Sequence, residues 1–153
     1  MSVVDSVFLA VSGGAPEVVD WLVEGVAAEV LVTETSAVRL RMRGENAADW
    51  LGVVVQPNGY VVPDPEPDDV QAMDSYGIEV QLRGGGSNEN LHREAERLFD
   101  ALITARPDVP ALLVHNLDTL VSAHLPGVGT HTFDPLITPD VEDGDTWRSW
   151  IIT

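Results

Sequence analysis

The feature that most constrains the fold is the strict alternation of residues 37–43. Here Val38, Leu40 and Met42 alternate with Arg39, Arg41 and Arg43. Because successive side chains of a β-strand point to opposite faces, this pattern predicts a strand with one buried and one solvated face. Residues 76–83 show the same alternation, between Ile78, Val80 and Leu82 on one side and Glu79, Gln81 and Arg83 on the other.

Two segments have the apolar spacing of amphipathic helices. The first is predicted over 16–30, with Pro16 at its first turn, and the second runs from a cap at Ser87 or Asn88 to about Ala105. Further strands are predicted at 6–12 and 111–115, together with a hairpin that joins 50–55 to 60–62 through the turn at 56–59. Residues 117–125 fit a strand or a short helix, and 147–152 fit a strand or an anchoring plug.

The predicted order, β-α-β-β-β-β-α-β, is typical of an α+β domain. We expect a mixed or mostly antiparallel sheet of about five to six strands, with two helices packed on one face, as in a ferredoxin-like split βαβ variant. The length of 153 residues suits a single domain over 1–153. Within it we expect an acidic loop at 63–75 and an irregular C-terminal region at 126–153.

Charge is the main composition signal for function. The chain has 25 acidic residues against eight arginines and no lysine, which gives a formal charge of −17. This charge repels nucleic acids and anionic lipid surfaces, and it favours a basic protein partner that associates quickly. The missing lysines point to a GC-rich bacterial genome. With no cysteine, no basic leader and no long apolar stretch, the expected location is the cytoplasm.

The acids form runs with no basic residue among them, which predicts acidic faces rather than an even coat. Near the acidic run at 134–145, and beside Arg148, two tryptophans form an aromatic cluster of the kind found at interface hot spots. The candidate partner-binding residues are Asp64, Glu66, Asp68, Asp69, Asp140, Glu142, Asp143, Asp145, Trp147 and Trp150. Asp74 and Asp134 belong to the same runs.

Two segments resemble enzyme motifs but depart from them at decisive positions. Ser12-Gly13-Gly14 resembles the start of the phosphate loop of ATP pyrophosphatases, but Ala15-Pro16 follow where that family's pattern needs Asp and Ser. The segment 112–121 resembles the first motif of haloacid-dehalogenase-type phosphatases, with Asn116 in place of the nucleophilic aspartate. Residues 140–145 only faintly match a calcium loop. We therefore expect no catalytic residues and no cofactor, and an enzyme is the less favoured class.

Two other groups of residues keep an alternative open. His115, His124 and His131 are close in sequence and are of the right type for a metal, although their spacing matches no known site. The row Arg39, Arg41 and Arg43 could grip an anion or pair with acids such as Glu79. The alternative is thus a small α+β enzyme or ligand-binding protein that uses the arginine face or the histidine region.

In its profile the chain resembles the small, acidic, cysteine-free immunity proteins that neutralise bacterial polymorphic or contact-dependent toxins. The resemblance lies in the acidic runs 64–74 and 134–145 and in the missing catalytic motifs. It implies an inhibitor that docks acidic loops against a basic toxin or enzyme, with Trp147 or Trp150 as apolar anchors. A monomer or weak homodimer is expected.

Overall fold

The computed structural model describes residues 3–45, 50–59 and 70–152. The strands are β1 (Asp5–Leu9), β2 (Glu29–Thr33), β3 (Val38–Arg43), β4 (Trp50–Pro57), β5 (Ile78–Gly84), β6 (Ala111–His115), β7 (Thr119–Leu125) and β8 (Gly129–Thr132). The α-helices are α1 (Gly14–Gly25), α2 (Asn88–Ala105) and α3 (Gly144–Trp147). Single 3-10 turns, Val141–Asp143 and Arg148–Trp150, flank α3. Among these described helices, none combines the length and the apolar character needed to cross a membrane.

All eight described strands form one sheet, in the order β2-β3-β4-β5-β1-β6-β7-β8. Every neighbouring pair is antiparallel. The α+β class and the antiparallel sheet are therefore confirmed, but the expected five to six strands were too few. The expectation of two helices is not confirmed either, since α3 is a third α-helix among the described residues.

The two additional strands, β2 and β8, lie in segments for which the sequence predicts no strand. The helix predicted over 16–30 ends at Gly25, and the chain then turns through Ala27, whose φ is 55°. Val30 matched the helical spacing, but it belongs to β2 at the edge of the sheet. Strand β8 lies inside the C-terminal region that was expected to be irregular, where it forms a hairpin with β7.

The remaining sequence predictions have clear outcomes within the described residues. Strands are confirmed at 37–43, 76–83 and 111–115, and α2 begins at a Ser87 cap whose hydroxyl accepts a hydrogen bond from Asn90 N. The open choice at 117–125 is resolved as strand β7. Strand β4 pairs with β3 and β5, whereas the second arm of the predicted hairpin, 60–62, lies outside the described residues.

The face of the sheet that α1 and α2 cover, here called the helix face, has the larger core. Alternate residues of the central strands point to this face and pack against the apolar stripes of both helices. The buried members include Val7, Leu9, Leu40, Val53, Val80, Leu82 and Leu113 from the sheet, and Val18, Leu22, Leu91, Leu98 and Phe99 from the helices.

The opposite side of β1, β6 and β7, here called the cap face, is covered by the segments 70–76 and 133–152. Its core includes Phe8, Leu112, Val114, Met73, Tyr76, Phe133 and Trp147. This core also contains a buried polar group, the hydroxyl of Tyr76. Burial raises the pKa of Tyr76 to about 12, and the nearby backbone of Ile152 opposes that shift. The Tyr76 hydroxyl nevertheless lacks a partner in hydrogen-bonding geometry among the described residues.

Candidate functional sites

Two of the predicted acidic runs, 64–74 and 134–145, are in contact. The structure describes only the end of the first one, from residue 70, and this end packs against the second. Gln71 Nε2 donates to Asp140 Oδ1 at 2.7 Å, and Ala72 N donates to the carbonyl oxygen of Pro139 at 2.8 Å. Partial burial raises the pKa of the Asp74 carboxyl, while a hydrogen bond from Gln71 N opposes the shift. Asp64, Glu66, Asp68 and Asp69 lie outside the described residues.

Of the C-terminal candidate acids, three are open to solvent. Asp140, Glu142 and Asp145 are exposed around the short helical turns at 141–147 and are here called the acidic cap. Asp143 plays a different part, because its Oδ2 accepts hydrogen bonds from Thr138 N at 2.7 Å and Thr138 Oγ1 at 2.8 Å. These bonds to the backbone and hydroxyl of Thr138 lower the pKa of Asp143. Asp143 therefore fixes the loop that carries the acidic cap.

The two candidate tryptophans have different environments. Trp147 is only 1 % exposed, and its indole Nε1 donates to the carbonyl oxygen of Asp140 at 3.1 Å. It is a core residue of the cap face, so the idea that it anchors a partner is corrected. Trp150 is half-buried and stacks on His131, with ring centroids 4.6 Å apart. Trp150 thus keeps exposed surface, whereas Trp147 is the anchoring plug considered for 147–152.

Two members of the arginine row, Arg39 and Arg41, pair with acids, but not with the acid that was expected. Arg39 and Arg41 each donate at 2.8 Å to an acid in or just after the adjacent strand β2, Glu34 and Glu29 respectively. The guanidinium groups of Arg41 and Arg43 also lie over the Trp50 ring, each 3.9 Å from its centroid.

Glu79, the acid expected to pair with the arginine row, is buried elsewhere. Its carboxylate accepts from Ser6 Oγ at 2.8 Å and from Gln56 Nε2 at 3.0 Å. The strand alternation of β5 correctly placed Glu79 on the side opposite Ile78 and Val80, but the partners on that side are polar and uncharged. The described contacts of Arg39 and Arg41 therefore favour the solvated, paired strand face over an anion site.

The three candidate histidines do not converge. His124 uses both ring nitrogens, Nδ1 with Thr130 Oγ1 at 2.9 Å and Nε2 with the carbonyl oxygen of Pro107 at 2.8 Å. His131 packs between the aromatic rings of Phe133 and Trp150. A metal site shared by His115, His124 and His131 is therefore excluded by their separate contacts.

His115 instead meets two residues that are distant from it in the sequence, Asp5 and His92. Asp5 Oδ2 lies 2.8 Å from His115 Nδ1 and 2.6 Å from His92 Nδ1, and the two imidazoles stack with centroids 3.9 Å apart. The carboxylate is fully buried, although its strand is otherwise apolar at Val7 and Leu9. The one available signal was an acid within a buried strand, because His92 and His115 come together only through the tertiary fold.

The edge strand β2 is a further exposed feature. All five of its residues are exposed, including the apolar residues Val30, Leu31 and Val32. Its pairing with β3 shifts between Val30 and Val32, so Leu31 occupies a bulge. Bulges of this kind hinder the addition of another strand at an open edge.

Comparisons with known proteins give no relative for this chain: no family model, no curated protein and no solved structure matches it.

Proposed function

We propose that the chain is a protein-binding module of the immunity type, which neutralises a basic toxin or enzyme by docking acidic surface against it. The observation that carries this proposal is the acidic cap. Asp140, Glu142 and Asp145 are exposed together on a segment that the Gln71–Asp140 hydrogen bond ties to the end of the other acidic run.

The net charge acts mainly on the rate of association and on the choice of partner. A net charge of −17 attracts a cationic protein over distances of roughly 10 Å at ordinary salt, and it disfavours nucleic acids and anionic membranes. Affinity then depends on a few desolvated contacts, for which the half-buried Trp150 beside the acidic cap is the apolar candidate. In this role the protein acts in the cytoplasm as a monomer or weak homodimer and needs no cofactor.

We also infer a ferredoxin-like split βαβ core within the larger sheet. Strands β5 and β6 are joined by α2 and are separated by β1, and β4 lies beyond β5. In this interpretation the β2-β3 pair and the β7-β8 hairpin are additions at the two edges. The acidic cap is attached to the second addition through the C-terminal segment.

The test begins with capture of a basic partner from the source cells and continues with the purified pair. The neutralised variant D140N/E142Q/D145N removes the three carboxylates of the acidic cap. The matched control, E89Q/E96Q/D100N, removes three exposed carboxylates from α2, on the other side of the sheet. Both variants change the net charge by the same amount, so they separate a local patch from total charge.

We expect the acidic-cap variant to slow association by about tenfold at low salt, with a smaller effect at high salt. The control should associate at nearly the wild-type rate. Equal losses for the two variants, or no loss for either, would contradict docking through the acidic cap.

Growth of cells that produce the captured partner tests the inhibitory role. Wild type and control should restore growth, and the acidic-cap variant should restore it poorly. The immunity proposal would be refuted if the captured partner does not harm cells and if its own activity is unchanged when this protein binds it.

A further inference from the structure

We propose that Asp5, His92 and His115 form a binding site for one divalent transition-metal ion, with zinc the best-fitting ion. Each residue offers one ligand atom, and these atoms all lie within 4.8 Å of one another. The site is independent of the acidic cap, because its residues belong to the helix face.

The fold itself assembles this group from three distant parts of the chain. Asp5 begins β1 and His115 ends β6, and the two residues are direct cross-strand partners. Both continue the alternation that points Val7, Leu9 and Leu113 into the helix-face core. His92 lies in the second turn of α2, a helix that contacts both β1 and β6 and brings His92 to Asp5. Regular elements therefore hold all three ligands.

Among the described residues, this group leaves one buried polar atom without a hydrogen bond. His92 Nδ1 and His115 Nδ1 approach the same carboxylate oxygen, Asp5 Oδ2. His92 makes a hydrogen bond to it, whereas the buried His115 Nδ1 has no partner in hydrogen-bonding geometry within 3–45, 50–59 and 70–152, despite the 2.8 Å separation. Burying a carboxylate and a ring nitrogen in this way is costly. A cation between the three atoms would satisfy all of them at once.

The distances require only a modest adjustment. Zinc binds imidazole nitrogen and carboxylate oxygen at about 2.0–2.2 Å, so tetrahedral ligand atoms are roughly 3.4 Å apart. The observed separations from Oδ2, 2.6 and 2.8 Å, must therefore widen by roughly 0.6–0.8 Å. The His92 side chain is 33 % exposed, so its ring can move outward into solvent.

The surroundings support a ligand role for Asp5 and indicate the class of metal. Asn116 N donates to Asp5 Oδ1 at 3.2 Å, which orients the carboxylate from behind in the way that outer groups orient metal ligands. Two imidazole nitrogens and one carboxylate oxygen suit zinc and neighbouring transition metals better than calcium or magnesium, which prefer oxygen alone. Three protein ligands leave at least one coordination position for water.

The experiment is titration of the untagged, metal-stripped protein with zinc by calorimetry, and with Co²⁺ by visible absorption. The test variant is His92→Gln, chosen because His92 is on the helix surface. The matched control is His131→Gln, which removes a histidine that stacks on aromatic rings outside this group. Circular dichroism melting without metal establishes that both variants fold.

We expect one zinc ion per wild-type chain, a melting temperature that rises with zinc, and Co²⁺ bands typical of nitrogen and oxygen ligands. His92→Gln should weaken zinc binding by at least the roughly 10–100-fold caused by loss of an outer supporting group. His131→Gln should bind as wild type does. Equal binding by wild type and His92→Gln, loss of zinc binding in the acidic-cap variant instead, or no zinc binding by wild type would overturn the proposal.

Discussion

The helix face and the cap face are covered in different ways. On the helix face, α1 and α2 contribute long apolar stripes to a core of aliphatic and aromatic side chains. On the cap face, short turns and loops cover the sheet, and single contacts such as the Trp147–Asp140 and Gln71–Asp140 hydrogen bonds fix their position. Two regular helices thus cover the helix face, whereas individual hydrogen bonds hold the covering of the cap face in place. The candidate surface for a partner is on the face that individual contacts hold.

The largest expected effects compare one core residue from each face. Trp147→Ala should lower the free energy of unfolding by about 3–5 kcal/mol and Leu98→Ala by about 2–5 kcal/mol, because both side chains are fully buried. Urea unfolding followed by fluorescence and circular dichroism measures both. One shared transition would show that the faces unfold together. If Trp147→Ala instead gives two transitions, the cap face is a separate unit. The half-buried Trp150 provides the control, and Trp150→Ala should cost less.

The next prediction concerns the polar atom in the cap-face core. Tyr76→Phe removes a buried hydroxyl that makes no hydrogen bond among the described residues. We expect the free energy of unfolding to stay equal or rise by up to about 1 kcal/mol, since no partner is left behind. The measurement is the same urea titration. A loss above about 1 kcal/mol would indicate that the hydroxyl is bonded in solution, for example to the Ile152 backbone.

A smaller change, limited to acid pH, tests the loop that carries the acidic cap. The pKa of Asp143 in the fold lies below its ordinary value of 3.8 because Thr138 donates to it. Its carboxylate therefore stabilises the fold above pH 3.8, and that contribution is lost as the pH falls through the folded pKa. Asp143→Asn should reduce the loss of stability on acidification, whereas Asp145→Asn, at an exposed position, should not. NMR titration of the carboxyl carbons gives the pKa directly, and a value at or above 3.8 would contradict the prediction.

The smallest effect is expected at the sheet edge, which neither face covers. Leu31→Lys changes a side chain that is 56 % exposed in the β2 bulge. The free energy of unfolding should change by no more than about 0.5 kcal/mol. Sedimentation at high concentration measures self-association, which the added charge should reduce if any occurs through this edge. A large destabilisation would show that Leu31 is packed in solution.

The same contrast explains what the sequence could predict. The alternation in 37–43 and the stripe of α2 are local patterns, and both match the structure. Strand β2 was missed because Val30 also fits the spacing of the preceding helix, and an exposed edge strand has no buried alternation to reveal it. The burial of Trp147 depends on contacts with Asp140 and the cap-face core, which no local pattern encodes.

The two candidate sites differ in the same way, since one consists of residues adjacent in sequence and the other is assembled only by the tertiary fold. The acidic cap could be found because its residues are adjacent in sequence. The Asp5–His92–His115 group could not, because 87 residues separate Asp5 from His92 and both histidines lack a motif. The histidines nearest to His115 in the following sequence, His124 and His131, have side chains that are occupied by other contacts. Only the register of β1 and β6 brings Asp5 and His115 side by side.

The central position of β1 has a consequence for how the chain acquires its structure during synthesis. Strand β1 pairs Asp5 with Leu82 of β5 on one side and with His115 of β6 on the other, so it is synthesised well before both of its neighbours. The centre of the sheet therefore cannot form until β6 has been synthesised, after β5 and α2. Such high contact order slows folding, because long loops must close before their contacts are gained. The nascent protein spends this interval with an apolar strand unpaired, which makes early association with a chaperone advantageous.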